Sequence, residues 1–156
     1  MTAIVPSKPG RLLKLTFALP RYLYRWHLGW LFGHRCLMIT HVGRKTGRLR
    51  QTVVEVVHYD PTTRECIVMS GYGTQSDWYR NIEARSACEV QVGRQRYRPR
   101  QRLLSAEETL TVLQAYQQRH PWGFRELMRL VGNAYDGTPE GLRSISQVLR
   151  GVAFRP

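Results

Sequence analysis

From Cys36 to Leu104 the chain is a succession of short apolar, β-rich runs, and each run is cut off by turn-forming residues. Residues 36–42 (Cys-Leu-Met-Ile-Thr-His-Val) run into the Gly43–Gly47 turn. Residues 50–59 end at Asp60-Pro61-Thr62-Thr63, residues 65–71 end in Gly-Tyr-Gly, and residues 88–92 end at Gly93-Arg94. Connections this short join antiparallel neighbours; parallel strands would need longer crossovers. Residues 36–42 are apolar at both odd and even positions, the pattern of a strand covered on both faces. The rest of the chain adds helices, so the expected class is α+β. With 156 residues, 42% of them apolar, one ordinary core is the starting expectation.

Helix signals flank and interrupt the strands. Gly71-Tyr72-Gly73-Thr74 reads as a flexible loop, after which Ser76 is placed to cap a helix over 77–85 with Asp77 in its first turn. On that helix Trp78, Asn81, Ile82 and Arg85 share one side. Cys88, Val90 and Val92 alternate with polar residues in the next strand, and a last long strand follows Gly93-Arg94. Ser105 to Glu108 is a capping box for a helix reaching about Arg119. Pro121 opens another that ends near Gly132, Thr138-Pro139-Glu140 opens a third, and Val152-Ala153-Phe154 reads as an edge strand. Upstream, residues 11–33 are dense in Leu, Tyr, Trp and Phe and are split by Pro20 into two short helices. The expected organisation is a basic aromatic N-terminal helical segment over 1–35 and, over 36–156, a small barrel of five or six antiparallel strands with helices before and after.

Charge narrows the partners. There are 24 Lys and Arg against 11 Asp and Glu, a formal +13, and no acid precedes Glu55. An anionic partner is expected. Arg94, Arg96, Arg98, Arg100 and Arg102 alternate, so in one extended strand they would project from one face, as a solvated outer face or an anion-tracking ridge. Tyr97 is the one aromatic interleaved with them, which disfavours a base-stacking, nucleic-acid-binding platform. Residues 11–33 are too polar to span a bilayer, yet aromatic and acid-free enough to lie on an acidic membrane surface. Cys36, Cys66 and Cys88 are odd in number and set among apolar neighbours, as buried thiols in a reducing cytoplasm. No metal constellation is expected, since His34, Cys36 and Met38 fit packing better than ligation.

The segment Gly43-Arg44-Lys45-Thr46-Gly47-Arg48-Leu49-Arg50 is suited to phosphate, because glycine backbone approaches an oxyanion closely while guanidinium and ammonium groups supply charge and directed hydrogen bonds. It is neither a Walker loop nor a Gly-x-Gly-x-x-Gly fingerprint. On charge alone a solvated basic hairpin is the simpler reading. Taken with Thr40-His41-Val42 before it, Ser70-Gly71, and Asp77-Trp78-Tyr79-Arg80-Asn81-Ile82-Glu83-Ala84, however, it resembles the signature of the deazaflavin-dependent nitroreductase family. The resemblance runs from about Leu37 to Leu104, with a weaker echo in the final strand.

That resemblance implies a split β-barrel that binds coenzyme F-420, an anionic nucleotide-like cofactor. It implies that Arg44, Lys45 and Arg50, with Gly43, Thr46 and Gly47, hold the phosphate and acidic tail. Ser70 and Gly71 would face the deazaflavin ring, and Trp78 and Asn81 would shape the pocket wall. The implied reaction is hydride transfer to a lipophilic electron-poor acceptor such as a quinone, nitroaromatic or enone. His120, Tyr135 and Tyr72 are the candidate proton donors. Barrels of this kind also accept FMN, FAD or haem, and a non-catalytic cofactor or lipid carrier is the alternative from a different class. The implied location is cytoplasmic or peripheral on the inner face of the cell membrane.

Overall fold

The computed structural model describes residues 31, 33–131 and 135–156. The paired helices expected over 11–33 therefore lie almost wholly outside the described residues, as does the expected helix end at Gly132. Seven described strands form one antiparallel sheet: β1 (Cys36–Val42), β2 (Leu49–Asp60), β3 (Glu65–Ser70), β4 (Glu89–Val92), β5 (Gln95–Tyr97), β6 (Arg100–Leu103) and β7 (Arg150–Arg155), in the order β5-β4-β1-β2-β3-β7-β6. The helices are α1 (Asp77–Ala84), α2 (Ala106–Arg119), α3 (Pro121–Leu130) and α4 (Pro139–Val148).

Strand β2 is the hinge of the sheet. Its first part, Leu49 to Glu55, pairs with β1, and its second, Val56 to Asp60, pairs with β3 across a register shift between Val56 and His58. A bulge there bends the strand and lets it belong to two walls. It also divides the side chains. Val54 and Val56 join Leu37, Ile39, Val68, Val90 and Phe154 inside the half-barrel, whereas Val57 turns outward to the helices. Strand β3 alternates in the same way: Cys66 and Val68 point into the barrel, Ile67 and Met69 into the layer of Leu113, Phe124, Leu127, Leu142 and Ile145 from α2, α3 and α4. Both of its faces are covered, which is why residues 66–70 are buried without a polar gap.

Several expectations are corrected. The strand expected after Gly93-Arg94 is two strands, because Pro99 lacks the N–H a continued ladder needs. Strand β5 pairs with β4 and β6 with β7, at opposite edges of the sheet. Only residues 98 and 99 separate them, so those edges must approach within about 11 Å, the reach of three residues. The sheet therefore curls nearly closed, and the five alternating arginines do not form one ridge: Arg96 is on β5, Arg100 and Arg102 are on β6, and Arg94 and Arg98 lie in the connections. Strand β7 is not an edge: Val152 and Phe154 lie between β3 and β6. Among the described residues there are seven strands, above the five or six expected.

Local signals at the helix starts mostly hold. Ser105 and Glu108 form the reciprocal capping box of α2, and the Thr138 hydroxyl accepts from the Gly141 N–H at the start of α4. Ser76 stands at the N-cap of α1, but its hydroxyl does not cap the helix. Nor is residues 71–74 an open loop. Residues 73–75 make a turn of 3-10 helix, and Gly73, at φ +52°, sits so close to α4 that a Cβ there would lie 2.2 Å from the Val148 carbonyl oxygen. No helix among the described residues is long and apolar enough to cross a membrane.

Candidate functional site

The β1–β2 hairpin carries the first group of candidate residues. Its turn is closed by backbone bonds: the Gly47 and Thr46 N–H groups donate to the Gly43 carbonyl (2.8 and 3.2 Å), and the Gly43 N–H donates to the Arg48 carbonyl (2.8 Å). Helix α1 holds this turn through two residues, Asn81 and Asp77. Asn81, 3% exposed, accepts at Oδ1 from both the Arg44 N–H and Arg44 Nη1, each at 3.0 Å. Arg44 Nη2 also reaches Asp77 Oδ1 at 3.3 Å, in the first turn of the helix.

With two donors on its oxygen, the Asn81 amide turns its Nδ2 to His41 Nδ1, 3.2 Å away, and donates to it. The His41 proton therefore resides on Nε2, which is 3.2 Å from Thr52 Oγ1. His41 is 2% exposed, and burial, assisted by the Arg50 charge, lowers its pKa to about 4. It is a neutral strut at physiological pH.

This network sorts the expected phosphate ligands. The Arg44 guanidinium is engaged by α1 and sets the shape of the turn. Lys45, Thr46, Gly47, Arg48 and Arg50 are exposed, and no described acid pairs with Lys45, Arg48 or Arg50. Arg48 thus joins Lys45 and Arg50 in an open cationic rim. Ser70, expected at the ring, is fully buried and faces inward to the 71–76 turn: its Oγ donates to the Gly73 carbonyl at 2.9 Å and lies 2.6 Å from Ser76 Oγ. That contact explains why Ser76 does not cap α1. Gly71 is half-buried beside it, and Trp78 packs partly against the barrel core, edge-on to Tyr79. The hairpin and α1 are therefore held together by Arg44, Asn81 and His41, and the 71–76 turn is held to the end of β3 by Ser70.

A second feature lies on the outer side of β2, across the bend. A cleft of about 630 Å³ opens between Glu55–Tyr59 and the junction of α2 with α3. Tyr116, 2% exposed, donates from its hydroxyl to Glu55 Oε1 at 2.6 Å. Burial, then this bond to a carboxylate, pushes its phenol well above the ordinary range. Gly123 makes room for the pair, since a Cβ there would lie 2.3 Å from the Tyr116 hydroxyl. Arg119 Nη2 donates to His58 Nδ1 at 3.0 Å on the same wall. Of the three candidate proton donors only His120 lines this cleft. Tyr135 packs edge-on to Phe124 and accepts from Gln117 Nε2, and Tyr72 is half-buried beside Gly73.

Glu55, Tyr116 and Arg119 were not foreseen as site residues. A signal for Glu55 was present: it is the first acid in the chain and sits in a Val-rich strand, where a charge needs a partner. Nothing in the sequence paired it with Tyr116.

A curled antiparallel sheet with α1 packed on its inner cluster and α2, α3 and α4 on its outer face defines a split β-barrel, and comparison with known folds agrees. An F420-H2-dependent reductase, FDR-A, has a TM-score of 0.52 at 16% identity, covering 79% of this chain and 96% of its own. A structure described as a domain-swapped dimer has a TM-score of 0.54 at 14% identity, covering 91% and 99%. A pyridoxamine 5'-phosphate oxidase-related, FMN-binding protein of Nostoc punctiforme has a TM-score of 0.51 at 17% identity, covering 97% and 82%. At these identities the likeness is one of fold. Residues 27–125 match the model of the F420H(2)-dependent quinone reductase family, and the chain belongs to that family. It is thus an oxidoreductase whose cofactor is coenzyme F-420. No curated protein matches the chain.

Proposed function

We propose that the hairpin holds the phosphate and acidic tail of F-420 through Lys45, Arg48 and Arg50, and that the cleft on β2 admits a lipophilic quinone. One observation carries this reading: Arg44 is engaged by Asn81 and Asp77, so the turn is rigid, while its three other cations face solvent without acidic partners. A guanidinium, an ammonium and an exposed threonine hydroxyl fit a phosphodiester with carboxylates, and the fixed turn lowers the ordering cost of capture.

When bound, reduced deazaflavin supplies the hydride. The protein's part is to bind, orient and shield. The hairpin draws on remote binding energy to position the cofactor. The Ser70–Gly73–Ser76 contacts hold the turn beside α1. In the cleft, Tyr116 fixes the Glu55 carboxylate, and His120 stands exposed where it can hand a proton to the reduced acceptor. Nitroaromatics and enones share the electron-poor character of quinones and belong to the same proposal. Residues 36–156 act as the cofactor-holding barrel and residues 1–35 as a basic aromatic appendage, peripheral to the inner face of the cell membrane.

Fluorescence titration with F-420 tests the binding half. Lys45→Ala and Arg50→Ala should each weaken binding about tenfold, the typical worth of a charge-assisted hydrogen bond. Quenching absent at micromolar cofactor, or indifferent to both substitutions, would sink the assignment. The reaction half is tested by consumption of reduced F-420 with a water-soluble naphthoquinone. Binding without consumption would indicate a carrier.

A further inference from the structure

The outward face of α3 is built unlike the other helical surfaces around the cleft. Phe124, Leu127 and Met128 turn into the core. Trp122, Arg125 and Arg129 follow one another at helical spacing on the opposite side and are exposed. Trp122 is 70% exposed, the most open large apolar side chain among the described residues, and it forms part of the cleft wall. Arg119 and Arg35 stand on the same rim. The one acid on α3, Glu126, is paired with Arg129 through Nη1 at 3.1 Å, so the face keeps a net positive charge. Leu31, 58% exposed, precedes the rim residues His34 and Arg35, so the acid-free N-terminal sequence joins the described fold beside this cleft.

We propose that the exposed face of α3 docks on an acidic lipid bilayer and presents the mouth of the cleft to it. An indole left in water beside several guanidinium groups matches the headgroup region, where the ring meets the acyl boundary and the arginines meet anionic phosphates. A protein partner would be expected to need a larger apolar surface on this face than one tryptophan. The docking rests on the reading of the cleft as the entrance for a lipophilic quinone, for it would let such a substrate pass from lipid to protein without crossing water.

Co-sedimentation of the full chain with phosphatidylcholine vesicles, with and without phosphatidylglycerol, tests the docking. Binding should need the acidic lipid and weaken with salt. The double substitution Arg125→Gln/Arg129→Gln should lower the partition coefficient by about 25-fold, about fivefold for each arginine near an acidic surface. Trp122→Ser should weaken the binding that remains at high salt, and circular dichroism confirms that each variant is folded. Partition of the double variant equal to that of the wild type, or of the wild type equal on both lipids, would overturn the proposal. Oxidation of reduced F-420 by a water-soluble quinone, without vesicles, separates the two readings. Wild type and double variant should turn over equally. A chain that binds acidic vesicles but leaves this quinone unreduced overturns the proposed reaction and keeps the docking; the converse overturns the docking alone.

Discussion

Acidification should unlatch the hairpin through His41. In the folded chain the imidazole is 2% exposed, accepts from Asn81 at Nδ1, and has its pKa lowered from 6.5 to about 4. In the unfolded chain it regains the ordinary value. Between those values the unfolded state binds a proton that the folded state refuses, so stability falls as pH drops and the loss is complete below about 4. Each pH unit inside the window corresponds to about 1.4 kcal/mol. From pH 7 to pH 5 the loss attributable to His41 is therefore roughly 2 kcal/mol. With a urea dependence of about 2 kcal/mol/M, the unfolding midpoint should move down by about 1 M. Urea unfolding followed by circular dichroism at both pH values, on the wild type and on His41→Gln, isolates the effect. The variant has its own baseline stability, which cancels, and the other histidines contribute equally to both. A wild type that loses no more than the variant, within about 0.5 kcal/mol, would refute the assignment of His41 as a buried neutral strut.

Two further outcomes follow from close contacts. Gly73→Ala places a Cβ 2.2 Å from the Val148 carbonyl oxygen at a φ of +52°, and should cost at least about 3 kcal/mol, seen as a fall in Tm of roughly 6–12 °C. Asn81→Ala removes the acceptor for two Arg44 donors and the donor to His41, so F-420 affinity measured by titration should fall about tenfold, with unfolding at lower urea than the wild type.

The hairpin was legible because its information is local: glycines, closely spaced cations and a preceding apolar strand all lie within a few residues. The capping box of α2 and the start of α4 were legible for the same reason, since a cap is completed within one turn. The arginine alternation misled because spacing reports a face only while the strand continues, and Pro99 ends it. Phe154 read as an edge because its neighbours, β3 and β6, are far apart in sequence. Ser76 read as a cap because its competing partner, Ser70, belongs to another element.

By itself, the sequence determined the α+β class, the anionic partner and the resemblance on which the F-420 expectation rests, because composition, periodicity and short motifs need no knowledge of which segments meet. Only the tertiary structure decided that Arg44 is a strut while Lys45, Arg48 and Arg50 remain open, that His41 is neutral, and that Tyr116 donates to Glu55 in the wall of a cleft. Each depends on bringing distant residues within about 3 Å, where burial and hydrogen bonding set the state of a side chain. Residue type alone leaves that state open.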